Sequence, residues 1–145
     1  MTEPQLLVAV IVRNGTETLM VRRGHGPAGG TWTVPTSPLQ TGELIAQAVQ
    51  RTLFEQCGAN GVVFAIADLV ELVNHELHQV VIVVDGGIED ADALHSPHAA
   101  TEVAWIDRSA LQRLAMDHVA IPVLSQAEGI GAMSRSAPMP PARST

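Results

Sequence analysis

The chain predicts an α+β fold in which helices cover the faces of a mixed β-sheet, and three observations carry that expectation. The apolar runs are short: "LLVAVIV" from Leu6 and "VVIVV" from Val80 have the length and β-branched content of buried strands, far below what crosses a bilayer. One stretch, "GELIAQAVQRTLFEQCG" from Gly42 to Gly58, switches to helical spacing. The elements follow the order β-β-loop-β-α-β-β-β-α, which is neither regular βαβ alternation nor an all-β pattern.

Leu6 to Arg13 is an apolar run, and "NGTE" after it carries an Asn-Gly turn signal. "TLMVRR" then returns as a second strand, predicting a hairpin. "GHGPAGG", Gly24 to Gly30, is too rich in glycine to be anything but a loop. "TWTVP" is a short extended piece, and "TSPLQTG" reads as continued loop, with Pro38 barring a helix. The helix is predicted from about Glu43 to a capping Gly58, with Val49, Leu53, Cys57 and Ala46 forming its core stripe. "GVVFAIADLVELV" and "HQVVIVVDGGI" are two longer strands joined around Asn74 to Leu77. After the acidic loop "IEDADALHSPHAATE" come a strand "EVAWI" and a short helix capped by Asp107 or Ser109. One more helix is expected around Pro122, ending near Gly129.

With 145 residues, nearly half of them hydrophobic, the chain predicts a single domain over 1–130 and a Pro/Ser/Ala-rich, disordered tail over 131–145. The formal charge is −7, and all eight basic residues are arginines. So acidic a chain, with its arginines dispersed, excludes an extended grip on nucleic acid but leaves room for one small phosphorylated ligand. Neither a membrane span nor a secretory signal is visible, and the cytoplasm is the default location. Cys57 stands alone, which excludes an internal disulfide and a cysteine-based zinc site, and it reads as a packing residue. His75 with His78, and His95 with His98, lack a third ligand at defined spacing.

At the helix the chain resembles the Nudix family, whose box reads G-x5-E-x7-R-E-U-x-E-E-x-G-U, where U is a bulky aliphatic residue. Glu43 and Arg51 set the register, and Leu53, Glu55 and Gly58 then match. Ser37 replaces the leading glycine, Thr52 the acid after arginine, Gln56 the second acid of the pair, and Ala59 the last aliphatic. The flanks add to the likeness. "WTVPTS" resembles the family's W-x-x-P-G-G without its glycines, "LMVRRG" its strand ending in arginine, and "EVAWID" its late Glu-x-x-Trp strand. The resemblance spans Leu6 to Leu124 and implies an α/β/α sandwich.

It also implies hydrolysis of a nucleoside diphosphate linked to another group, with Mg²⁺ or Mn²⁺ neutralising the pyrophosphate. Magnesium needs hard oxygen ligands, and positions 52, 55 and 56 lie three and four residues apart, on one helical face. Here that face carries one carboxylate where the pattern has three, so the metal is expected to be weakly held or absent. Glu55, Glu43 and Arg51 are the candidate catalytic residues, the last two as an orienting pair; Glu55 and Glu102 are the candidate metal ligands. Arg22, Arg23 and Trp32 are the candidate substrate contacts. Thr52 and Gln56 read as plain polar helix residues. Three functions stay open: a ligand-binding protein impaired in hydrolysis, a hydrolase using Glu55 and Glu102 with an acid from Glu89 to Asp92, and a protein-interaction module. The ligand expected is a small nucleotide or pyrophosphate compound, and a homodimer is compatible because the family often pairs.

Overall fold

A computed structural model describes residues 3–23, 30–91, 94–95 and 101–128. The "GHGPAGG" loop up to residue 29, Asp92, His98 and the tail 131–145 lie outside the described residues.

The first strand, β1 (Gln5–Asn14), turns back into β2 (Glu17–Arg23), with Asn14 paired to Glu17. The turn residues are therefore Gly15 and Thr16, one position later than the Asn-Gly signal suggests. Two short strands follow, β3 (Trp32–Thr33) and β4 (Thr36–Pro38). The second of these corrects the expectation of a loop: Thr36, Ser37 and Pro38 pair antiparallel with Ala9, Val8 and Leu7. Pro38 bars a helix but not the last position of an edge strand, where its missing N–H deprives no ladder.

The helix α1 (Ile45–Cys57) leads into the hairpin of β5 (Gly61–Val73) and β6 (His78–Ile88). β7 (Thr101–Asp107), α2 (Arg108–Leu111) and α3 (Ala120–Glu128) complete the described chain. The strands form a seven-stranded sheet of order β3-β2-β1-β6-β5, with β4 beside β1 and β7 beside β2. β1 runs parallel to β6 and antiparallel to β2 and β4, so the sheet is mixed as expected.

Both faces of the sheet are covered, which is why β1 reads as an unbroken apolar run rather than an alternation. Leu7, Ala9, Ile11 and Met20 pack with Val119, Ala120, Val123 and Leu124 at α3. Val10, Val12, Leu19 and Val21 pack with Val49, Leu53 and Cys57 of α1. This is the α/β/α layering. The buried stripe of α1 differs from the expected one, because Ala46 is exposed while Ala48 and Thr52 are buried. The helix is wedged against β4 as well as the sheet, and that contact widens its buried side toward 48 and 52.

Candidate functional site

Glu43 belongs to the loop before α1 and not to the helix, because its carboxylate is engaged there. It accepts from the Gln40 N–H at 3.0 Å and takes the Arg51 guanidinium in a fork, 2.7 Å from Nε and 2.9 Å from Nη2. Arg51 Nη2 also donates to the Pro38 carbonyl at 2.9 Å, which ties the end of β4 to the middle of the helix. The hydrogen bonds from Arg51 hold Glu43 below the usual carboxylate range, against the opposing effect of burial. The same bonds push Arg51 up. Glu55, one turn further on, is exposed and sits 3.4 Å from Arg51 Nη1. The structure thus brings Glu43, Arg51 and Glu55 together around one guanidinium.

The face shared by 52, 55 and 56 is not one surface. Only Glu55 looks outward. Thr52 is fully buried and donates to the Ala48 carbonyl at 2.6 Å, while its oxygen lies 2.5 Å from Ser37 Oγ of β4. A threonine hydroxyl has one proton, already committed to Ala48, so Ser37 donates and Thr52 accepts. Gln56 Nε2 donates to the Thr36 carbonyl at 2.8 Å, and its buried Oε1 has no hydrogen-bond partner among the described residues. Thr52 and Gln56 are therefore joints between α1 and β4, not the plain polar helix residues of the sequence reading. The sign that was available lay in the box itself: the departures at 37, 52 and 56 meet at one place and had to be read jointly. Ala59, at the last aliphatic position, remains buried in the α1 layer.

Arg22, Trp32 and Glu102 form a second group. Register sets Trp32 and Glu102 on either side of Arg22, in one row across β3, β2 and β7. The Arg22 guanidinium pairs with the Glu102 carboxylate and lies 5.3 Å from the centre of the Trp32 ring. Strand alternation fixes the side of the sheet: Leu19 and Val21 face α1, so Arg22 and its row project from the opposite face. Glu102 is accordingly engaged with an arginine on the far side of β2 from the helix that carries Glu55. Arg23 pairs through its backbone with Thr101, and its side chain lies outside the described residues. Among the described residues no three of His, Cys, Asp and Glu gather as a metal site, and no helix is long and apolar enough to cross a membrane.

Cys57 is fully buried, and desolvation pushes its thiol up to about 12, as befits a packing residue.

The NUDIX domain family model matches residues 3–127. Among solved structures, a NUDIX hydrolase from Nitrosomonas europaea superposes with a TM-score of 0.74 at 17% identity, covering 88% of this chain and 90% of that one. A MutT protein from Methanosarcina mazei Go1 gives 0.73 at 22% identity, covering 89% of this chain and 96% of that one. The NUDIX domain of Shewanella oneidensis NrtR, complexed with ADP ribose, gives 0.70 at 18% identity, covering 89% of each chain. None of the curated proteins matches.

Proposed function

The chain belongs to the NUDIX family, and from that premise we propose that it binds a nucleoside diphosphate-linked or related pyrophosphate ligand while being impaired in metal-dependent hydrolysis. The observation that carries this reading is the state of Thr52. Its oxygen is buried, its proton is held by Ala48, and one of its lone pairs is met by Ser37. Gln56 spends its amide on Thr36. Glu55 alone offers an anion, and Arg51 stands beside it. NUDIX hydrolases generally use a divalent cation, and this donor set does not fit one. Mg²⁺ binds through carboxylate oxygens in an octahedron, and a committed hydroxyl and a neutral amide do not balance its charge. Mg²⁺, or Mn²⁺ in its place, is therefore held weakly or not at all, and Glu55 is its sole candidate ligand on α1.

The ligand side of the proposal rests on Arg22, Arg23 and Trp32. Two arginines end β2 beside the glycine-rich segment, and the Arg22 guanidinium, half-exposed over the buried Trp32 ring and paired with Glu102, keeps N–H donors for a phosphate. The solved NUDIX domain that holds ADP ribose names a ligand of this class for a relative. In this role Glu43 and Arg51 orient the helix and loop without touching the reacting atoms.

The test is a panel of nucleoside diphosphate derivatives. Phosphate release with Mg²⁺ or Mn²⁺ is expected near background for the native protein and for Glu55→Gln alike, while a bound nucleotide raises the melting temperature. Turnover at ordinary family rates that vanishes in Glu55→Gln overturns the proposal in favour of an active hydrolase. Absence of any thermal shift favours an interaction module. One observation speaks for that second reading: β5, at the edge of the sheet, exposes Phe64, Ile66, Leu69 and Val73. A homodimer pairing through that strand is the simplest form of it.

A further inference from the structure

We infer that Ser37, Thr52 and Gln56 form a single lock in which the protein's own polar atoms fill the place of the cation, and that Ser37 is the residue that bars its return. The inference deepens the impaired-hydrolase reading above and rests on it. Three contacts make the lock: Ser37 Oγ to Thr52 Oγ1 at 2.5 Å, Thr52 Oγ1 to the Ala48 carbonyl at 2.6 Å, and Gln56 Nε2 to the Thr36 carbonyl at 2.8 Å. Two of them bridge β4 to α1, side by side, at adjacent residues of the strand. The departures at 37, 52 and 56 each partner another part of the same junction, so restoring the acids at 52 and 56 also depends on what stands at 37.

Consider acids restored at 52 and 56 with Ser37 left in place. A glutamate at 52 starts from a fully buried position and must pass the Ser37 side chain, itself buried, to reach solvent. A glutamate at 56 exchanges an amide donor for a carboxylate facing the Thr36 carbonyl, an acceptor against an acceptor. Both anions are then short of donors and short of space. Removing the Ser37 side chain opens a path for the acid at 52 and frees β4 to shift from the acid at 56. Hence Thr52→Glu with Gln56→Glu is insufficient, and Ser37→Gly must accompany them.

The experiment measures Mn²⁺ binding by electron paramagnetic resonance, with thermal melts in the presence and absence of the ion. Native protein, Thr52→Glu/Gln56→Glu, and Ser37→Gly/Thr52→Glu/Gln56→Glu are compared. The expected result is no saturable Mn²⁺ binding by the native chain, and affinity in the triple variant at least about tenfold above the double, the scale on which altered site surroundings tell. The ion should raise the melting temperature of the triple variant. Equal affinity in the double and the triple overturns the role of Ser37, as does a folded triple variant that binds nothing.

Because the acidic variants can fail to fold, a cycle in the native background tests the lock independently. Ser37→Ala and Thr52→Val should each lower the melting temperature, and the pair should cost little more than Thr52→Val alone, since the bond that Ser37→Ala deletes is already lost in Thr52→Val, along with the one to Ala48. Additive losses overturn the coupling. Nucleotide-induced thermal shifts of the native protein keep the two readings apart: shifts with additive losses sink the lock alone, and tight native Mn²⁺ binding sinks both.

Discussion

Two glycines with the same left-handed backbone offer a controlled measurement of what the end of α1 tolerates. Gly42 has φ +81 and Gly58 has φ +66, and an added Cβ meets nothing within 4 Å at Gly42. At Gly58 it falls 2.3 Å from His95 Cε1 and 2.6 Å from Nδ1. The His95 ring lies over the helix end, where the His95 backbone N–H donates to the Cys57 carbonyl at 3.0 Å. Alanine in the left-handed region costs about 1–2 kcal/mol, and the stiffer unfolded chain returns about 0.4–1 kcal/mol of that. Gly42→Ala should therefore lose about 1 kcal/mol net. Gly58→Ala bears the same strain and must also displace the ring; a side-chain end moves readily, so the added cost is about 1 kcal/mol, the low end for overpacking. In thermal melts the losses become about 3 °C and about 6 °C for a chain of this size. In a His95→Ala background the excess at position 58 should vanish and the two glycines become equivalent. Equal losses with His95 present, or an excess that survives its removal, would refute the reasoning.

Other outcomes follow from the same geometry. Glu43 is held below its ordinary range chiefly by the Arg51 hydrogen bonds, so on acidification the unfolded chain takes up its proton first. The stabilisation is complete above the unfolded carboxylate value of about 4.3 and is lost as pH falls through the lower folded value; urea melts from pH 3 to 6 should show a shallower acid limb in Glu43→Gln. Cys57, with its thiol pushed up to about 12 and buried, should resist a disulfide reagent at pH 8 and react once urea unfolds the chain; fast labelling of folded protein would contradict its packing. In Trp105→Phe the remaining indole emission belongs to Trp32, and a bound nucleotide should change it. Unchanged emission at saturation places the ligand elsewhere.

Local chemistry was readable from the sequence, and distant pairing was not. Pattern and length identified β1, β2, α1 and the β5–β6 hairpin, because each announces itself within its own residues by period, branching or turn. β4 was invisible: three residues ending in proline carry no period, and only the β1 neighbour makes them a strand. The Glu43–Arg51 spacing fixed the box, yet the inward turn of Thr52 and Gln56 depends on β4 lying against the helix. Likewise Arg22 and Glu102 sit eighty positions apart in sequence, and only the β2–β7 register makes them neighbours.

The mounting of Trp32 has a consequence for how the chain assembles. β3 has only two residues, yet its backbone is held on both edges. Arg22 lies opposite Trp32 on one side, and on the other the Trp32 N–H donates to Ala115 at 2.8 Å while its carbonyl accepts from Asp117 at 3.0 Å. The indole is thus positioned by segments from the beginning and the far end of the fold, and neither suffices alone. A chain shortened ahead of residue 115 would keep Trp32 and lose the backbone contacts to Ala115 and Asp117 that hold one edge of β3.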